Sequence, residues 1–126
     1  MLRESEKKLG DTGSEVAVLE QKDPWAVDLR DVIVRIVKTV NPRRLILFGS
    51  WARGERSRDS DVDLLVVMRG PVHRRDLAAM IYRNLHGVPI PVDVIVVTED
   101  DVLQFGSKPG TVLYPALKEG IVVYEA

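Results

Sequence analysis

Two aspartates at alternate positions, Asp61 and Asp63, are the residues whose types and spacing most clearly suggest chemistry. They open an apolar segment, Leu64–Met68, that is typical of a buried strand. Because side chains alternate between the faces of a strand, the two carboxylates point the same way and Val62 points opposite. Neighbouring carboxylates repel each other, and a bound cation relieves that repulsion. Mg²⁺, which binds one or two protein carboxylates together with phosphate oxygens and water, fits this donor set.

A glycine–serine pair precedes these aspartates and predicts the complementary half of a site. Gly49 and Ser50 follow a short apolar strand, Leu45–Phe48, and ten residues, 51–60, separate them from Asp61. Glycine lets the backbone approach a ligand closely. The serine hydroxyl and the amides at the start of the short helix predicted after the turn favour an anion. Carboxylates for a metal and a turn for phosphate predict a site for a nucleoside triphosphate with Mg²⁺.

Each half of this pattern has an ordinary alternative. A serine after glycine can be a simple helix N-cap, and paired aspartates can be solvated charges at a strand edge. The combination favours chemistry, since aspartate is disfavoured in strands and two of them open an apolar one. Arg53 lies one helical turn after Ser50 on the same side. It is a candidate phosphate ligand, and an ordinary surface arginine is the equal alternative.

A third carboxylate, Asp93, lies near the start of another apolar strand, Val92–Val97. A charge in such a position conflicts with local propensity, and such conflicts often mark function. Its place in the strand matches that of Asp63, so the two carboxylates meet if the strands are neighbours. Three carboxylates can hold two Mg²⁺ ions about 4 Å apart, the arrangement that stabilises attacking and leaving oxygens in phosphoryl-type transfer. The alternative is a charge paired with a nearby arginine.

The rest of the chain predicts the elements that position these residues. Residues 1–22 are charged and are predicted to be a flexible tail, and residues 23–126 form one domain. The signals that begin and end helices, together with apolar residues at helical spacing, predict a first helix from Asp23-Pro24 to Val40 with Trp25 in the core. The same signals predict helices over 72–86, 98–105 and 111–119, and a last strand over 121–124.

The composition is that of an ordinary globular protein and bounds the function. The 126 residues are 45% apolar and 29% charged, and the net charge of −1 gives no expectation of broad nucleic-acid binding. The absence of cysteine excludes disulfides and cysteine-based zinc sites. No apolar segment approaches the roughly 20 residues of a membrane span, and the N-terminus lacks the apolar core of a signal peptide. These features predict a cytoplasmic protein.

With these residues in place, the chain resembles the minimal nucleotidyltransferases of the DNA polymerase β superfamily. Their signature is Gly-Ser, ten residues and Asp-x-Asp, which corresponds here to Gly49-Ser50 and Asp61-Val62-Asp63, with the common Ala-Arg-Gly at 52–54. The third carboxylate of the family corresponds to Asp93. The resemblance covers about residues 25–126. It departs at Trp51, where a polar residue is expected at the surface of the turn.

The resemblance implies an α/β (α+β) fold in which a small mixed β-sheet packs with helices. It also implies two Mg²⁺ ions held by Asp61, Asp63 and Asp93, and a triphosphate bound by Gly49 and Ser50. Asp93 would help to deprotonate an acceptor hydroxyl. That hydroxyl would then attack the α-phosphorus of ATP, and pyrophosphate would leave.

Stand-alone chains of this size and motif are similar to the antitoxin half of HEPN/MNT toxin–antitoxin modules. That similarity implies a HEPN ribonuclease toxin as partner, silenced by transfer of AMP to one of its tyrosines. Two alternatives stay open. One is nucleotidyl transfer to a small-molecule hydroxyl, although such enzymes usually carry an extra helical domain. The other is a non-catalytic antitoxin that covers its partner, although the presence of all three carboxylates argues against it.

Overall fold

The computed structural model describes residues 26–57 and 59–126. Their elements are α1 (Ala26–Val40), β1 (Arg44–Phe48), a 3₁₀ turn (Gly49–Trp51), β2 (Val62–Met68), α2 (Arg74–Asn84), β3 (Val92–Thr98), α3 (Glu99–Phe105), α4 (Leu113–Glu119) and β4 (Ile121–Glu125). The predicted tail and the helix start with Trp25 lie outside the described residues. Within them, the predicted helices and strands are confirmed, with small shifts at their ends, except for the short helix expected after Ser50. A single 3₁₀ turn, Gly49–Trp51, takes its place. No helix of this part is long and apolar enough to span a membrane.

The four strands form one mixed sheet in the order β3-β2-β1-β4. β1 is antiparallel to both of its neighbours, whereas β2 and β3 run parallel. Parallel neighbours need a crossover connection, which α2 and the segment after it provide. Because β2 and β3 run the same way, the residues that open them lie at the same edge of the sheet. The predicted architecture, a small mixed sheet packed with helices, is confirmed.

Both faces of the sheet bury apolar side chains. Leu64 and Val66 of β2 belong to the larger cluster, which contains the buried face of α1 and Ile81 of α2. The alternate residues of β2, Leu65 and Val67, belong to a smaller cluster with buried side chains of α4. Burial on both faces explains why β2 is apolar at consecutive positions instead of alternating. The sheet is therefore a fixed support for whatever its edge carries.

Trp51 is buried, so the expectation of a position at the turn surface was wrong. Its side chain is 0% exposed and packs in the larger cluster. The indole Nε1 donates a hydrogen bond to the carbonyl oxygen of Ser60 at 3.1 Å, which gives the buried N–H its partner. The surrounding residues are polar, and their pattern does not indicate that the loop folds back over this ring. The indole thus joins the two ends of the loop between β1 and β2.

A capping box fixes the start of α3. The Thr98 hydroxyl accepts a hydrogen bond from the Asp101 backbone N–H at 3.1 Å, and the Asp101 carboxylate accepts one from the Thr98 N–H at 2.9 Å. Arg74 adds an ion pair to the same carboxylate at 2.6 Å. Burial raises the pKa of Asp101, but the hydrogen bonds from Thr98 and the charge of Arg74 outweigh it. The pKa of Asp101 is therefore lowered.

We expect Asp101→Asn to lower the free energy of unfolding by about 1 kcal/mol at neutral pH, because it removes the charge that these donors stabilise. The carboxylate contributes above its unfolded pKa, and its contribution is lost as pH falls through the lowered folded pKa. Urea unfolding at neutral and strongly acidic pH measures both. The exposed Asp100, whose carboxylate accepts a hydrogen bond from Gln104 in the same helix, is the matched control. If the difference in free energy of unfolding between the wild type and Asp101→Asn were equal at both pH values, this assignment would be contradicted.

Candidate active site

The sheet register brings the predicted carboxylates to one edge. Asp63, the second residue of β2, is the register partner of Asp93, the second residue of β3. On its other side Asp63 is paired with Phe48, the last residue of β1, so the turn at Gly49 begins beside it. Asp61 directly precedes β2. The condition that the two strands be neighbours is thus met, and the turn and three carboxylates occupy one edge.

The charges of Asp61 and Asp93 act on the carboxylate of Asp63. Burial raises the pKa of Asp63, the negative charges of Asp93 and Asp61 raise it further, and the positive charge of Arg53 partly opposes them. Asp63 is half-buried, whereas Asp61 and Asp93 are exposed. Gathering negative charges around a half-buried carboxylate is unfavourable, and a bound cation reverses the balance.

This donor set fits a Mg²⁺ ion that takes some of its ligands from the protein and the others from a nucleotide. Within residues 26–57 and 59–126, no group of three or more acidic or histidine side chains is arranged to hold a metal ion by itself. Mg²⁺ commonly binds through one or two carboxylates and completes its shell with water and substrate phosphates. Asp61 and Asp63 supply such a pair, and Asp93 adds a carboxylate on the neighbouring strand.

The turn at Gly49 packs directly against the Asp63 carboxylate. Gly49 has a φ of +74°, a conformation that favours glycine. A Cβ at this position would collide with Asp63 Oδ2. The Gly49 carbonyl accepts a hydrogen bond from the Ala52 N–H at 3.1 Å, and the Ser50 carbonyl accepts one from the Glu55 N–H at 2.9 Å. These bonds close the turn. Because Gly49 lies so close to Asp63, the segment predicted to bind phosphate is in contact with the carboxylate predicted to bind metal.

Arg53 lies close enough to the site to affect it. Its charge lowers the pKa of Asp63, and its guanidinium forms long ion pairs with Glu55 at 3.6 Å and Glu119 at 3.9 Å. The Arg53 side chain is 51% exposed. Exposed pairs of this kind contribute about 0–1 kcal/mol, so a phosphate group can compete for the guanidinium. Binding of phosphate by Arg53 stays a prediction.

Tyr82 is a residue at the site that the sequence did not predict. Its hydroxyl donates a hydrogen bond to Asp93 Oδ1 at 3.2 Å and accepts one from the Val94 backbone N–H at 2.8 Å. Burial raises the pKa of Tyr82, and the Asp93 charge adds to that effect against the lowering by the Val94 N–H. The phenol is therefore a hydrogen-bond donor at neutral pH. Its position depends on how α2 docks beside β3, for which the sequence offers no signal.

Comparison with known proteins identifies the family. The sequence model of the nucleotidyltransferase domain matches residues 27–114, a range that contains every candidate site residue. The chain belongs to the nucleotidyltransferase domain family. None of the curated protein sequences matches it. The predicted nucleotidyltransferase family is thus confirmed, while the acceptor and the partner stay predictions.

Two solved structures share this nucleotidyltransferase fold. One is a candidate nucleotidyltransferase from Sulfolobus solfataricus, with a TM-score of 0.52 and 22% identity over 76% of each chain. The other is a toxin–antitoxin structure with AMP-PNP, with a TM-score of 0.51 and 22% identity over 76% of this chain and 73% of that chain. At this level of identity the similarity establishes the fold alone.

Proposed function

We propose that this nucleotidyltransferase transfers AMP from Mg-ATP to a hydroxyl of a partner protein, with Asp61, Asp63 and Asp93 as its catalytic carboxylates. The observation that carries the proposal is the register of Asp63 with Asp93, beside Asp61 and the turn at Gly49. If β2 were paired with other strands than β1 and β3, these groups would not lie at one edge of the sheet. Membership of the nucleotidyltransferase domain family supports the reaction class.

In this mechanism Asp61, Asp63 and Asp93 hold the metal, and Gly49 and Ser50 bind the triphosphate with help from Arg53. Mg²⁺, when bound, offsets the charge that develops on the reacting phosphate and on the leaving group. Asp93 accepts the proton of the acceptor hydroxyl. The hydroxyl oxygen forms a bond to the α-phosphorus, the bond from that phosphorus to the β-phosphate oxygen breaks, and pyrophosphate leaves.

Exposure of Asp93 supports an acceptor that arrives from outside the fold. Asp93 lies on β3, an edge strand of the sheet, and its side chain is exposed. A general base must come within hydrogen-bonding reach of the proton it accepts. An exposed carboxylate on an edge strand allows the side chain of a large partner to reach it.

The partner that we propose is a HEPN-domain ribonuclease toxin in the cytoplasm, modified on a tyrosine and thereby silenced. Two observations support it. The motif at residues 49–63 is similar to that of the stand-alone antitoxins, and a toxin–antitoxin structure with AMP-PNP has a similar fold. In this proposal the chain acts as an antitoxin enzyme.

Mass spectrometry of the protein encoded next to this chain tests the proposal. That protein is incubated with this chain, Mg²⁺ and ATP labelled in either the α- or the γ-phosphate, and Asp61→Asn is run in parallel. We expect an AMP-sized mass gain that carries only the α label and requires Asp61. A stable complex without any mass gain would favour the non-catalytic antitoxin. If neither a mass gain nor a complex is observed, the result favours a different acceptor, such as a small-molecule hydroxyl.

A further inference from the structure

The Tyr82 hydroxyl joins the side chain of Asp93 to the backbone of the following residue. It donates to Asp93 Oδ1 at 3.2 Å and accepts from the Val94 N–H at 2.8 Å. β3 is an edge strand, and an edge strand presents backbone amides that have no partner strand. One such amide thus orients the hydroxyl, and the hydroxyl contacts the carboxylate next to it.

Asp93 needs a support of this kind because it is exposed. An exposed aspartate samples several rotamers, and a reactive carboxylate must be held close to its working geometry. Asp63, by contrast, is half-buried between β1 and β3 and lies against the turn at Gly49. Among the contacts of the described residues, the hydrogen bond from Tyr82 is the one that fixes an oxygen of Asp93.

We propose that Tyr82 is a positioning residue for the third carboxylate of the site. Its hydroxyl engages Oδ1 of Asp93, which leaves Oδ2 for a cation or for the proton of the acceptor. Residues that hydrogen-bond to metal ligands commonly affect metal affinity about 10- to 100-fold. This inference rests on the proposed function, since it assigns Tyr82 a role through Asp93. Tyr82 itself neither touches the substrate nor receives AMP.

Tyr82→Phe removes the hydroxyl and keeps the ring. The test measures how much Mg²⁺ is needed for half-maximal binding of an ATP analogue with a methylene group between the α- and β-phosphates, from which no AMP can be transferred. We expect this Mg²⁺ concentration to rise about tenfold in Tyr82→Phe. Tyr114→Phe makes the same change on α4 and should leave the Mg²⁺ requirement unchanged. An unaltered requirement in Tyr82→Phe would overturn the inference.

A double-mutant cycle separates positioning from a general effect on folding. If Tyr82 acts through Asp93, removing its hydroxyl in an Asp93→Asn background should cause no further change in the Mg²⁺ requirement. A further tenfold rise in that background would show that Tyr82 acts through the fold and would overturn the inference. Thermal unfolding of each variant reports any loss of structure.

The same measurements distinguish failure of this inference from failure of the proposed function. A wild-type chain whose analogue binding does not respond to Mg²⁺ would overturn the proposed function. Magnesium-dependent binding that is identical in the wild type and Tyr82→Phe would overturn the positioning role alone. An AMP-sized mass gain on Tyr82, after incubation with Mg-ATP in the absence of a partner, would also overturn it, because the hydroxyl would then be a substrate.

Discussion

Asp63→Asn is expected to abolish nucleotidyl transfer and, without metal, to stabilise the fold. Asparagine keeps the size of the side chain but loses the charge that binds a cation. Loss of a charge-stabilising group from an active site commonly costs at least about 10²- to 10³-fold in rate. The charges of both Asp93 and Asp61 act on Asp63, so we expect a loss beyond this range, which leaves no measurable transfer. Transfer of α-labelled AMP to the partner measures it.

The gain in stability follows from the raised pKa of Asp63. Burial is its largest cause, followed by the charges of Asp93 and Asp61. Because the folded pKa lies above the unfolded one, the stability of the protonated form is fully present below the unfolded pKa and is lost as pH rises through the folded pKa. With a chelator present, urea unfolding should show Asp63→Asn to be more stable than the wild type at neutral pH. The difference should vanish in acid.

Two further variants decide what the carboxylates are for. Asp61→Asn should abolish transfer in the same way and leave the fold intact. Asp76→Asn, an exposed change in the first turn of α2, should leave transfer unchanged. Unfolding of Asp61→Asn or Asp63→Asn at room temperature would show that the pair serves the core. Near-normal transfer in either variant would show that the metal is held elsewhere.

The strands and the carboxylate edge could be predicted because they depend on local patterns. The apolar segments that form β2 and β3 each carry an aspartate near their start, Asp63 and Asp93, and the observed parallel register pairs the two. The sequence-based prediction required these two strands to be neighbours, and the structure shows that they are. The order β3-β2-β1-β4 has no local signal, since it depends on the path of the connections.

Trp51 and Tyr82 could not be assigned because their roles depend on tertiary contacts. The polar residues after Trp51 suggest an exposed turn, and only closure of the loop onto Ser60 provides the acceptor that allows its indole to be buried. Tyr82 follows Ile81, a residue of α2 that is buried in the hydrophobic core. Its hydroxyl reaches Asp93 only after α2 has crossed over to place β3 beside β2. A side chain that supports a site from another helix or strand has no recognisable spacing in the sequence from the residues of that site.

Gly49→Ala is expected to disable the site from the side of the turn. The positive φ of Gly49 makes any other residue costly, by about 1–3 kcal/mol. The added Cβ would also collide with Asp63 Oδ2. Asp63 is held in register between β1 and β3, so its carboxylate can escape only by rotating away from its working position. A displacement of about 1 Å can cost about 10²-fold in rate, and we expect transfer to fall at least that far.

Gly87→Ala provides the matched control, because it separates backbone strain from the collision. Gly87 also has a positive φ, of +88°, but a Cβ there would meet nothing within 4 Å. It should therefore lose stability through strain and keep its transfer activity. In an Asp63→Ala background the collision partner is gone, and Gly49→Ala should then cost no more stability than Gly87→Ala. An undiminished cost in that background would contradict the collision with Asp63 and leave strain in the turn as the cause.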